Sequence, residues 1–383
     1  MAKKDPEEAY RSLFAESRNE CQTYSKIEQI RIGVALFHLL PTVKAEDYPQ
    51  FISKLHLNQR YSAMEMNYVS ELAPRLDLDR SVSQRAILGE RGVFCSFHAG
   101  SYRLIVPWLV SAGLKITMLI DAKVNAVIGQ LIEKSAREFL TQRGMDTDRL
   151  RVRDTAMPGV LRKIIRDSSE GYSPFVYVDG NLSLEAGEKS NSVFDFLGGR
   201  ISVKSGAAQL SKILRLPLFV AIASSRPEPP AGPSSSFFIK QVPEAETESL
   251  TVTMRQVWRS LEERLLAEPA DWESWRYIDR SLILDMQSKV DAKPTATTRQ
   301  PASREQLVLN QNRYALERVG EKLVLFDRKT IVAHFISLPF FEFLERVRSR
   351  RPFDQHNVLG DINEGTIASL RLREILIIDG SVT

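Results

Sequence analysis

The sequence predicts an α/β fold, a mixed and largely parallel sheet flanked by helices, with a helical N-terminal region and a small C-terminal α+β domain. Three observations predict it. Residues 1–85 carry helical periodicity with charged faces. From residue 92 onward, short apolar runs alternate with amphipathic segments, as strands joined by crossover helices do. After residue 284 the composition falls into the linker-like stretch DAKPTATTRQPASR, beyond which the pattern changes again.

In the N-terminal region Ala9, Leu13 and Phe14, then Ile27, Ile30, Val34 and Phe37, recur at helical spacing. In the middle of the chain strands are expected at 93–97, 116–120, 150–153, 175–178 and 218–223. Helices are expected at 102–111, 127–143, 158–166 and 205–214. The proline- and serine-rich segment RPEPPAGPSSS, 226–236, reads as a surface loop. A strand at 237–242 and a helix at 250–266 follow it. The implied division is a helical region 1–85, an α/β domain 86–287, a linker 288–304 and an accessory domain 305–383.

In the accessory domain RYALERVGEKLVLFD reads as a hairpin, with Tyr314, Leu316, Leu323 and Leu325 alternating around a turn at Val319-Gly320-Glu321. HFISLPFFEFLERVRSRR reads as a helix with an apolar face of Phe335, Leu338, Phe341, Leu344 and Val347. A further helix near 364–372 and a strand in REILIID complete the unit. This order resembles winged-helix modules and, more loosely, peptide-binding modules similar to the pyrroloquinoline-quinone biosynthesis chaperone. The looser likeness implies presentation of a peptide or carrier-bound acceptor, whereas dimerisation or packing is the plainer expectation.

Composition narrows the function classes. At 383 residues, 43% hydrophobic and 26% charged, the chain has the make-up of an ordinary globular protein. Fifty-two Lys+Arg against 48 Asp+Glu leave +4, too mild a surplus to indicate nucleic acid. A pI near 8.9 suits anionic small molecules or a membrane surface. Arg346, Arg348, Arg350 and Arg351 cluster at one helix end without a recognition helix, which also disfavours DNA. Cys21 and Cys95 lie far apart, so neither a disulfide framework nor a metal site is expected. His334 and His356 have no metal-ligand spacing with each other or with a cysteine.

The N-terminus lacks the apolar core of a signal peptide, and the apolar run 32–41 is half the roughly 20 residues a membrane span needs. A cytoplasmic setting is expected, with peripheral contact at the inner membrane left open.

The chemistry is expected at GVFCSFHAGSYRLIVPW, residues 92–108. Val93, Phe94, Cys95 and Phe97 form a short apolar strand, His98 ends it, Ala99-Gly100-Ser101 turns the chain, and helical spacing resumes. Side chains at strand carboxyl ends of open α/β sheets face a cleft. Histidine suits a general base by its near-neutral pKa, although a lone histidine also serves as a structural hydrogen-bonder. Strand alternation points Cys95 away from Ser96, and a buried thiol is inert.

Residues of about 85–280 resemble the bacterial late acyltransferases of lipid A assembly, the lauroyl and myristoyl transferases of the lysophospholipid acyltransferase superfamily. The likeness rests on the strand ending in His98, on VYVDGN with Asp179 at its end, and on FLGGRISVKSGAAQLSK. The last aligns without gaps at Phe196, Gly198, Gly206 and Leu210. Val203 stands where the family has threonine, and Ser211 where it has alanine. LPLFVAIA follows as the family's next apolar run, and Pro269, Trp272, Trp275 and Arg280 echo its closing pattern with the tryptophan spacing off by about one residue. The resemblance implies acyl transfer from a thioester, with acyl-CoA or acyl carrier protein as co-substrate, no other cofactor, and a small-molecule, peptide or carrier-bound acceptor.

One departure is central. The family follows its histidine five positions later with a carboxylate that orients the imidazole, and here that position is Arg103. A guanidinium cannot accept the imidazole N–H, and it lowers the proton affinity of a nearby histidine. Asp179 is then the first candidate to orient His98 and Asp121 the second. Arg103 is a candidate anion clamp for the donor's phosphates or an anionic acceptor, with an ordinary ion pair as the alternative.

Asn181, Lys204, Ser205 and Gly206 are candidates for substrate binding. Lys204 and Ser205 precede a helix start, where Ser205 is more simply an N-cap. Asp154 and Arg162 read as solvated. The expected function is acyl transfer to an amine or hydroxyl, with His98 as general base at the mouth of an acyl-chain groove. The alternative is a catalytically inactive protein of the same fold that binds acyl chains or a partner.

Overall fold

The computed structural model describes residues 5–19, 24–78, 90–121, 130–180, 191–224, 236–243, 249–284, 307–349 and 364–378. They form two compact units. The first comprises Met1–Thr23 and Phe51–Leu282, the second Tyr24–Gln50 and Ile283–Thr383. The helical lead-in expected over 1–85 is therefore divided, with residues 24–50 grouped with the C-terminal portion. The expected linker 288–304 and most of the loop 226–236 lie outside the described residues.

The first unit is built on a seven-stranded sheet. Its strands are β1 (Asp77–Leu78), β2 (Val93–Ser96), β3 (Ile116–Ile120), β4 (Leu150–Asp154), β5 (Ser173–Tyr177), β8 (Leu218–Ala223) and β9 (Ser236–Gln241). Their order is β1-β9-β8-β2-β5-β3-β4. The five from β8 to β4 are mutually parallel, and only the β8–β9 pair is antiparallel. Every residue of β2, β3 and β8 is buried, as the continuous apolar runs of a sheet covered on both faces require.

Alternation sorts the two faces. Phe94, Ile116, Met118, Phe175 and Phe219 pack with residues of helices Ile105–Ser111 and Gln130–Gln142. Phe97 turns to the other side, its ring centroid 5.2 Å from that of Trp258 on helix Leu250–Ala267. Trp258 in turn meets Phe196 and Trp272, and Trp272 meets Trp275. All three tryptophans are fully buried. Truncating one such aromatic costs about 3–5 kcal/mol. Gly92 is required at the entry to β2, because a Cβ there would lie 2.3 Å from the Phe219 ring and 2.8 Å from the Pro217 carbonyl oxygen.

Within the first unit, sequence patterning missed β1 and a hairpin. FDFLGGRISVK forms a hairpin of β6 (Asn191–Phe196) and β7 (Gly199–Lys204), with Phe196 opposite Gly199. Leu197 adopts φ 51° at the turn, and its N–H donates to Glu262 Oε1 at 2.6 Å.

The second unit contains helix Lys26–Leu39, the antiparallel sheet β11 (Tyr314–Val319), β12 (Lys322–Asp327), β13 (Val332–Phe335), and the antiparallel pair β10 (Leu307–Leu309) and β14 (Leu376–Ile378). Ser25 and Glu28 close a capping box at the start of the helix. The expected hairpin is present, with Gly320 at φ 61° in its turn. The helix expected from HFISLPFFEFLERVRSRR starts only at Leu338, after a strand that holds His334 and Phe335. Phe335 and Leu338 are exposed, and the buried face is Phe343, Leu344 and Val347. Pro339 explains the late start, since it suits the first turn of a helix and no later position.

Among the described residues, no helix is long and apolar enough to cross a membrane.

Candidate active site

Parallel register sets the site. Ser96 of β2 pairs with Tyr177 of β5, so the residues two positions on, His98 and Asp179, leave adjacent strands at the same level. Their side chains meet, with His98 Nδ1 2.8 Å from Asp179 Oδ1. Gly180 permits the close approach: a Cβ there would lie 3.2 Å from His98 Cε1.

Asp179 is fully buried and saturated with donors. It accepts from the backbone N–H of His98 at 3.0 Å, from Trp272 Nε1 at 2.8 Å and from Ser274 Oγ at 2.7 Å. Burial pushes its carboxyl upward, but the His98 charge and hydrogen bond, with those of Trp272 and Ser274, hold it below the ordinary 3.8. Because the ionised carboxylate only accepts, His98 Nδ1 carries the proton and Nε2 is the free base. Nε2 has no hydrogen-bond partner among the described residues, and the His98 side chain keeps 21% of its surface exposed.

Burial lowers the proton affinity of His98, yet Asp179 and, less strongly, Glu273 outweigh it and raise the pKa above 6.5, against an opposing push from Arg103. The ring is clamped between two phenols, 4.5 Å from Tyr177 and 4.8 Å from Tyr102 between centroids. The Tyr177 hydroxyl donates to the Tyr102 carbonyl at 3.1 Å, fixing the pair to each other.

Residues 269–276 close the site from a distant part of the chain. Gly100 N–H donates to the Asp271 carbonyl, Ala99 bridges to Trp272, and Glu273 N–H donates to the His98 carbonyl at 2.9 Å. The Glu273 carboxylate accepts from Tyr102 at 3.0 Å and from Gln59 at 2.9 Å. On the other side Ser101 donates to the buried Glu65 at 2.6 Å. The turn after His98 is thus fastened by backbone and side chains alike.

His98 opens on a small polar cleft of about 10 Å³, lined by Leu55, Asn58, Gln59, Ser62, Gly100, Tyr102, Asp271 and Glu273. Drug-sized ligand sites run to about 300–1,000 Å³, whereas this space holds about one water, so it is a niche and not the expected acyl-chain groove.

The other sequence candidates fare differently. Arg103 makes no ion pair among the described residues; its Nε donates to Ser62 at 3.2 Å, and its guanidinium stacks 5.1 Å from the Tyr102 ring centre. It reaches the cleft only through these neighbours. Asp121 follows β3, which β5 separates from β2, and Asp179 holds the place beside His98. Asn181 lies outside the described residues, as do Cys21 and His356.

Lys204 is exposed, and the lining of the cleft includes neither it nor Ser205 nor Gly206. Ser205 starts helix Gly206–Leu214 but does not cap it; its hydroxyl lies 2.7 Å from that of Ser192 across the β6–β7 hairpin. The hairpin partner outcompetes the helix N–H groups. Cys95 is fully buried and its thiol pushed far up by burial, which makes it inert.

Sequence reasoning assigned no role to Tyr102, Tyr177, Glu273 or Ser274, and quoted Trp272 only as part of a pattern. For Trp272, Glu273 and Ser274 the advance signal is the density of aromatic and polar residues in PADWESWRYIDR, and for Tyr102 and Tyr177 it is their nearness in sequence to His98 and Asp179. Among the described residues no three His, Cys, Asp or Glu side chains are grouped to hold a metal. No protein-family model matches the chain, and no curated protein is significantly similar to it.

Proposed function

We propose that the chain transfers an acyl group from a thioester donor, acyl-CoA or acyl carrier protein, to an amine or hydroxyl acceptor. The observation that carries this is the bond between His98 Nδ1 and the buried Asp179, which leaves Nε2 on the cleft as a base. His98 takes the acceptor proton as the acceptor attacks the thioester carbonyl. When the C–S bond breaks, the imidazolium returns that proton to the departing thiolate. Asp179 holds the tautomer and balances the charge on the ring without itself taking the proton.

In this reading the α/β unit is acyltransferase-like, the attacking atom of the acceptor reaches His98 through the niche while the acyl chain lies outside it, and Arg103 binds a donor phosphate from beside Tyr102. Lys204 and the helix start at Ser205 and Gly206 assist anion binding, and the C-terminal unit is a winged-helix-like module for dimerisation or packing. The work is done in the cytoplasm or at the inner membrane surface. Supporting the chemistry is the raised pKa of His98, which favours proton uptake.

Arginine at position 103 and the small niche favour a second reading, an inactive protein that binds acyl chains or a partner. Mass spectrometry with acyl-CoA and acyl carrier protein donors against a panel of amines and alcohols separates the two. An enzyme forms acyl products that vanish in His98→Ala while donor binding persists. No product from the unaltered protein across the panel would falsify acyl transfer.

A further inference from the structure

We propose that Glu273 is a positioning residue of this site, a second carboxylate that steadies the imidazolium of His98 from the cleft side and so replaces what Arg103 cannot supply. The proposal rests on the acyl-transfer reading for its catalytic meaning, though its electrostatic content stands on geometry alone.

Glu273 is joined to the histidine twice. Its N–H donates to the His98 carbonyl at 2.9 Å, and its carboxylate accepts from Tyr102, whose ring packs 4.8 Å from the imidazole. Gln59 fixes the other carboxylate oxygen at 2.9 Å. The side chain is mostly buried, 17% exposed, so its charge is weakly screened. Asp179 accepts from Nδ1 at the ring edge and Glu273 is tied to the ring through Tyr102 and the backbone, so charge developing on proton uptake meets anions from two separate elements.

Every charged group facing His98 enters this balance. Asp179 comes from the end of β5, Glu273 from residues 269–276, and Arg103 from the turn after His98, with the phenols of Tyr102 and Tyr177 between them. Helix Tyr48–Glu65 contributes the neutral Asn58, Gln59 and Ser62 to the cleft, and its Glu65 bonds Ser101. Asp271, also on the cleft, is matched by Arg264 at 2.7 Å, whereas Glu273 meets its own cation, Arg276, only at 4.0 Å. Glu273 is therefore the carboxylate best placed to offset Arg103. A purely mechanical role, holding Tyr102 in place, predicts that loss of the phenol hydroxyl acts as loss of the charge does.

The test titrates the His98 ring by NMR in the full chain, unaltered and as E273Q, Y102F and D179N, alongside the pH profile of acyl transfer. Glu273→Gln keeps an oxygen acceptor for Tyr102, removes the charge, and presents an amide NH2 to which Gln59 can turn its own carbonyl. It is expected to lower the His98 midpoint by about half a unit and to move the acidic limb of the rate profile down equally. Tyr102→Phe is expected to leave the midpoint in place, and D179N to lower it further than E273Q. An unmoved midpoint in E273Q, or an equal shift in Y102F, overturns the proposal. Absence of acyl transfer in the unaltered protein overturns the functional reading instead, and the NMR titration still decides the role of Glu273.

Discussion

Two buried carboxylates in the first unit, Asp167 and Asp179, share their burial and the direction of their pKa, and differ in their partners. Both are fully buried, and both are held below the ordinary 3.8 by partners that outweigh desolvation. Asp167, on helix Val160–Ser169, meets Arg153 through two nitrogens at 2.8 and 2.9 Å, Arg151 at 2.7 Å and Thr117 at 3.3 Å. Arg151 and Thr117 lie near the starts of β4 and β3. Its arginine partners carry permanent charge, so no proton has anywhere to go. Asp179 sits at the opposite, carboxyl end of the sheet and pairs with an imidazole, a group that gains and loses protons. A buried carboxylate becomes chemical equipment only when its partner exchanges protons and faces a cleft.

Mutation separates the two regions most sharply at the pair itself. Replacing His98 by Ala, or Asp179 by Asn, is expected to reduce acyl transfer by a factor on the order of 10²–10⁴, read as kcat/KM on whichever donor and acceptor react. Asp167→Ala is expected to leave the rate per folded molecule unchanged while lowering stability by about 3–5 kcal/mol in urea unfolding, since two arginines lose their anion. A loss of rate without a loss of stability in Asp167→Ala would erase the contrast.

The pH dependence of stability sharpens it further. The folded pKa of His98 is raised, so its contribution is complete below 6.5 and is lost as pH rises through the folded value. That of Asp179 is lowered, so its contribution is complete above 3.8 and is lost as pH falls through the folded value. The pair therefore stabilises most between about 4 and 6.5, whereas the Asp167 cluster weakens only on the acid side. Denaturant titrations of D179N and D167N across pH 4–9 check this, with the alkaline decline expected to disappear in D179N alone.

Smaller effects complete the comparison. Trp272→Phe removes one donor from Asp179 and is expected to cost about 1 kcal/mol of stability and less than about tenfold in rate. Arg103→Gln removes the charge that opposes protonation of His98, so the acidic limb of the rate profile is expected to rise by a fraction of a unit. A fall would mean that Arg103 acts on the site through a bound anion.

Much of the first unit was legible in the sequence. Strands β3 and β8 fall at 116–120 and 218–223 as the patterning predicts, and β2, β4, β5 and β9 within about two residues, because apolar runs bounded by Gly, Pro and Lys announce buried strands; the two-residue β1 carries no such run. The β6–β7 hairpin was not, since its half-buried alternation over NSVFDF is broken by a turn with Leu in a left-handed conformation, where glycine is the usual signal. Ser205 misled for a related reason: it stands where a cap belongs, but a hairpin neighbour claims its hydroxyl.

Residue order by itself determined the alternation of strands and helices, the placing of His98 and Asp179 at strand ends, and the inert setting of Cys95. These depend on periodicity and turn chemistry within some ten residues. Tertiary structure decided that β5 lies beside β2 in a register that makes the two ends level. It also brought Trp272, Glu273 and Ser274 to the histidine and grouped residues 24–50 with the second unit. Strand order and such distant closures are set by which faces bury each other best, and no local window of sequence contains both partners.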